Sequence, residues 1–74
     1  KRMDKDQQIR VQENGEPLDV DTGVSVAGLI DLLSLQGRRL AVELNMEIVP
    51  KSRYEVVCLK DNDVIEVVHA IGGG

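Results

Sequence analysis

The sequence ends on Ala70-Ile71-Gly72-Gly73-Gly74, and its most distinctive chemistry lies in the α-carboxylate of Gly74. That group is ionised at neutral pH, with an ordinary pKa of about 3.3–3.7, and as a carboxylate it is a poor acyl donor because its leaving group would be an oxide. Joined to the phosphoryl group of AMP, it becomes a mixed anhydride with a good leaving group, which a sulfur nucleophile can displace. Such chemistry calls for a thin, extensible terminus. Glycines lack Cβ and can enter a channel that excludes larger residues, and Ile71 to Gly74 fully extended reach on the order of 13 Å. Gly72 and Gly73 are therefore read as the thread that carries Gly74 into a partner's active site.

Other groups with catalytic character are few. His69 is the single histidine, and nothing near it in sequence supplies a nucleophile. Cys58 is the single cysteine; flanked by Val57 and Leu59 it reads as a small, buried or half-buried apolar residue, and it excludes an internal disulfide. One Cys and one His cannot build a zinc site, and Asp61 with Asp63 lacks the other ligands of a calcium loop. There is no G-x-x-x-x-G-K-[ST] phosphate loop, so any nucleotide must be bound by another protein. The expectation is a carrier rather than an enzyme, with no cofactor and no metal of its own.

Composition agrees with that reading. The 74 residues suffice for one domain, spanning 1–74, with 24 Leu, Ile and Val for a core and Tyr54 as the only aromatic. A net charge of −4, with scattered Lys and Arg, argues against nucleic-acid binding, which needs clustered cations. No apolar run is long enough to span a membrane and no signal-peptide pattern is present, so the expected location is the cytoplasm.

The elements that must position the tail follow from periodicity. Gln8 to Gln12 alternates apolar and polar as a half-buried strand, Asn14-Gly15 signals a two-residue hairpin turn, and Glu16 to Val20 returns as a strand that Pro17 confines to a sheet edge. Ser25 is a good helix N-cap, Val24 and Leu29 fit a hydrophobic staple, and Val26, Leu29, Ile30 and Leu33 form one apolar stripe. A helix of about three turns is expected, stopped by Gly37. Leu40, Val42 and Leu44 mark a third strand, and Met46 to Val49 a short extension closed by Pro50. Ser52 to Glu55 reads as a single turn and Val56 to Leu59 as a short strand. Asp61-Asn62-Asp63 is a tight turn with Asn62 left-handed, and Val64 to Ala70 is the last, central strand. The order predicts an α+β fold, a mixed sheet of four to five strands packed on one helix in the β-grasp, or ubiquitin-like, layout. Residues 1–7 read as a flexible N-terminal extension and 71–74 as a flexible tail.

Strand parity places Ala41 and Val68 on the sheet face away from the helix, with Glu43 and Glu66 beside them. An apolar patch with an acidic rim would suit a basic partner groove.

From Ile9 to Gly74 the chain resembles the ThiS family of sulfur carriers in thiamine biosynthesis. The resemblance rests on Asn14-Gly15-Glu16, on S-V-A-G-L-I-D-L-L at 25–33, on L-N-M-E-I-V-P at 44–50 and on L-K-D-N-D-V-I-E-V-V-H-A-I-G-G-G at 59–74. It implies that Gly74 is adenylated by an E1-like, ThiF-type enzyme and converted to a thiocarboxylate with sulfur from a donor system. The sulfur then passes to a ThiG-type thiazole synthase. Gly73 would complete the family's diglycine, while Gly72 is additional. The chain departs from the family pattern at Gly28, where an acidic residue is common, and at Asn62, where glycine is usual. Two related chemistries share this fold and terminus: the small subunit of molybdopterin synthase and a ubiquitin-like modifier joined to lysine. Glu47-Ile48-Val49-Pro50 and the lack of a proline-rich approach to the glycines favour the thiamine pathway.

Overall fold

A computed structural model describes residues 7–69. The expected tail, Gly72, Gly73 and Gly74 included, and the extension up to residue 6 lie outside the described residues. Gln7, the last residue of the expected extension, takes part in the fold: its carbonyl accepts a bond from the Thr22 N–H at 2.8 Å.

Among the described residues, five strands and one helix form two layers. Strands β1 (Gln8–Glu13) and β2 (Glu16–Asp21) make the first hairpin. Helix α1 (Val26–Leu32) follows, then β3 (Leu40–Leu44), β4 (Glu47–Val49), a 3-10 turn at Lys51–Arg53, and β5 (Val64–His69). The sheet order is β2-β1-β5-β3-β4. The β1–β5 pair is parallel and the others antiparallel, so the sheet is mixed, β5 is central, and the Pro17 strand lies at an edge. This is the β-grasp layout that the element order predicts.

The core is aliphatic. Val26, Leu29 and Ile30 from α1 form one buried cluster with Val11, Val20, Val42, Val49, Ile65 and Val67 of the sheet and with Leu59. Burying each such side chain stabilises by about 1.5–3 kcal/mol, and a seven-residue helix depends on that packing because it is too short to persist alone. Its N-terminus is fully bonded. Ser25 Oγ accepts the Gly28 N–H at 3.0 Å, while the Val26 and Ala27 N–H groups donate to the carbonyls of Val57 and Tyr54 at 2.9 and 2.7 Å.

Three expectations are corrected. The helix is two turns long, not three, and Gly37 does not stop it. Ser34 adopts the left-handed conformation at φ 60°, its N–H donates to Asp31 and the Leu35 N–H reaches back to Ile30, the paired bonds of a Schellman stop. Val56 to Leu59 is not a strand. The N–H groups of Val56 and Val57 fold back onto the Arg53 carbonyl, and the segment then braces the helix entrance through Val57 O and a Leu59 N–H bond to Val24, leaving a single bridge between Ser25 and Cys58. Cys58 is exposed rather than buried, because Leu59 next to it is the residue that turns inward.

Candidate functional site

The strand that leads to the glycines is β5, and two asparagines hold it. Each begins a two-residue turn with both central residues at positive φ: Asn14-Gly15 at 49° and 86°, Asn45-Met46 at 51° and 74°. Asparagine enters that conformation more readily than other non-glycine residues, and here each amide is spent on or beside β5 rather than on its own turn. Asn45 lies at the start of β5, where its Oδ1 accepts the Val64 N–H at 2.9 Å and its Nδ2 donates to Asp63 Oδ1 at 3.0 Å. Asn14 lies nearer the tail. Its Oδ1 accepts the Val67 N–H at 2.8 Å and its Nδ2 donates to the Val67 carbonyl at 2.9 Å.

Ahead of β5, the turn through Asp61, Asn62 and Asp63 docks on β1. Arg10 N–H donates to Asp61 Oδ1 at 2.9 Å, and Asn62, at φ 73°, donates its N–H to the Arg10 carbonyl at 2.8 Å. The expected left-handed residue is thus the one found.

The sheet face away from the helix carries the residues that parity assigns to it. Ala41 lies opposite Val68 and Glu43 opposite Glu66 across β3 and β5. Two residues that the sequence reading missed join them. Ile48 of β4 faces Glu43, and Val64 stands beside Gln12 of β1. Ile48 is 68% exposed, Val68 52% and Val64 38%. The signal for Ile48 was weak, since three residues of β4 show no periodicity and only their register against β3 assigns a face. The acidic pair crosses the patch rather than rimming it, because Glu66 falls between Val64 and Val68 along β5. Neither glutamate has an ion-pair partner among the described residues.

The opposite flank of this face is neutralised. Arg10 Nε donates to Asp19 Oδ1 at 2.7 Å and its second nitrogen to Oδ2 at 3.1 Å. This bonding holds the Asp19 carboxyl below the usual carboxylate range and raises the guanidinium of Arg10 further. His69 ends β5 opposite Leu40. Among the described residues no group of three or more His, Cys, Asp and Glu could hold a metal ion, and no helix is long and apolar enough to cross a membrane. Among the described residues the face is thus an exposed apolar patch crossed by two carboxylates on β3, β4 and β5.

Comparison with known proteins places this geometry. A family profile described as the ThiS family matches residues 6–74. The sulfur carrier protein ThiS of Bacillus subtilis is 46% identical over 54 residues, covering 73% of this chain and 80% of that protein. A thiazole synthase of Paramagnetospirillum magneticum is 44% identical over 61 residues, which is 82% of this chain and 19% of the synthase. The chain thus spans about a fifth of the length of the thiazole synthases it matches. Among solved structures, the thiamine biosynthesis protein (ThiS) of Geobacter metallireducens superposes with a TM-score of 0.78 at 30% identity, covering 89% of this chain and 100% of that one.

Proposed function

The chain belongs to the ThiS family of sulfur carriers in thiamine biosynthesis, and we propose that it carries its sulfur as a thiocarboxylate on Gly74. The carboxylate attacks the α-phosphorus of ATP held by an E1-like, ThiF-type partner, forming the acyl adenylate and releasing pyrophosphate. Hydrosulfide, or a sulfur donor equivalent to it, then attacks the carbonyl carbon. The bond to the AMP oxygen breaks, AMP leaves, and one proton is released with the thiocarboxylate. No electrons change hands when sulfide is the donor. Gly72 and Gly73 are the thread, and the face of Ala41, Glu43, Ile48, Glu66 and Val68 docks the partner.

What carries the reading is the extent of the family match, which runs through the terminal glycines to residue 74. The recipient is proposed to be a ThiG-type thiazole synthase, which the similarity to a fifth of two such enzymes supports.

The test is intact-protein mass spectrometry on a form ending at Gly74, after incubation with ATP, sulfide and the E1-like partner. The expected product has gained the mass of one sulfur-for-oxygen exchange, and deleting Gly74 abolishes the gain. An unchanged mass with a partner that modifies its own carrier would reject the mechanism, and a stable lysine adduct would instead identify a modifier.

A further inference from the structure

We propose that Asn14 is a positioning residue for the terminal glycines: its side-chain amide holds β5 beyond the reach of β1 and so fixes the end of that strand, Val67 to His69, which precedes them in the chain. The proposal rests on the carrier reading above and deepens it.

The geometry requires some substitute for β1 at this place. The parallel rungs of β1 with β5 end at Glu13 and Ile65, and the Asn14 N–H makes the last backbone bond, to the Ile65 carbonyl at 3.0 Å. At Asn14-Gly15 the chain turns back into β2, so no further β1 backbone can face Val67. The Val67 N–H and C=O are nevertheless both bonded, to the two ends of one amide. On its other edge β5 stays paired with β3 at Ala41–Val68 and Leu40–His69. Without the Asn14 amide the last part of β5 would be held from one side only, next to the patch that docks the partner. A loosened end of β5 leaves docking intact but lowers the effective concentration of the Gly74 carboxylate in the partner's site.

Asn45 supplies the matched control. It has the same left-handed conformation and also makes two amide bonds, but at the opposite end of β5. Replacing either residue by glycine keeps the turn conformation and removes the amide.

The experiment compares wild type, Asn14→Gly and Asn45→Gly by amide hydrogen exchange and by steady-state kinetics with the E1-like partner, ATP and sulfide. The expected result for Asn14→Gly is faster exchange at Val68 by about tenfold, with kcat lowered about threefold to tenfold and KM unchanged. Asn45→Gly should leave both the Val68 exchange and kcat at wild-type values. A merely structural amide would deplete folded carrier, raising apparent KM and leaving kcat alone. That pattern, or equal losses in both variants, overturns the proposal. If wild type itself is never modified, the carrier reading fails separately. The clamp is then decided by exchange, and equal Val68 rates in the two variants refute it.

Discussion

A Cβ built at Gly28 would lie 2.7 Å from Val24 Cγ2, closer than real Cβ atoms come, and the atom it meets belongs to a stiff, β-branched side chain packed on the core. This explains a departure visible in the sequence, where the third helical position carries glycine rather than the glutamate of a capping box. Ser25 caps without that partner, and the space above Gly28 is already taken by the residue before the cap. Helix propensity alone favours Gly28→Ala by about 1 kcal/mol, whereas overpacking typically costs about 1–3 kcal/mol. The clash should win, so Gly28→Ala is expected to destabilise by about 1 kcal/mol in urea titration. In a Val24→Ala background the same change should become neutral or stabilising, and an unaltered penalty there would show that the contact with Val24 is not the cause. The N-cap could be read directly because serine has few better uses before an apolar stripe. The reason for Gly28 could not, since it depends on where the Val24 methyl group sits.

At the scale of elements, the ends of α1 show which signals a sequence exposes. Gly37 looked like the stop because glycine is the usual left-handed residue after a helix. It does have a positive φ, 78°, but within a later turn. Ser34 ends the helix instead, at a backbone conformation that costs a non-glycine residue roughly 1 kcal/mol. The bonds from Ser34 and Leu35 to Asp31 and Ile30, with Leu35 packed against the core, offset that cost. Ser34→Gly should therefore stabilise the domain by about 0.5–1 kcal/mol, raising its melting temperature by a few degrees in a thermal scan. A lower melting temperature would mean that the Ser34 side chain contributes more than the strain removes. The β3–β4 hairpin was hidden for a similar reason, since Met46 occupies a left-handed position where glycine would have announced the turn. The alternating segments, Gln8–Gln12 and Leu40–Leu44, were legible because a period of two leaves one assignment of faces once one face is buried.

Across the whole molecule, the alternation that builds the core also sorts the open face, which is why strand parity alone assigns Ala41, Glu43, Glu66 and Val68 to it. Ile48 could not, because its face depends on register with β3. Register also puts Glu43 directly opposite Glu66, and like charges in that relation oppose folding by roughly 0.2–1 kcal/mol. Glu66→Gln should accordingly stabilise the isolated domain by that amount, with the gain shrinking as salt screens the repulsion. If the acidic stripe steers a basic partner groove, the same substitution should slow association with the E1-like enzyme at low ionic strength, with little change once salt is high. Chemical denaturation and stopped-flow association over one salt series measure both effects. Opposite signs, with stability rising while the association rate falls, would mean that the repulsion serves recognition. A variant that gains stability and associates at the wild-type rate would leave docking to the apolar residues Ile48 and Val68, and the two glutamates would only keep that patch soluble.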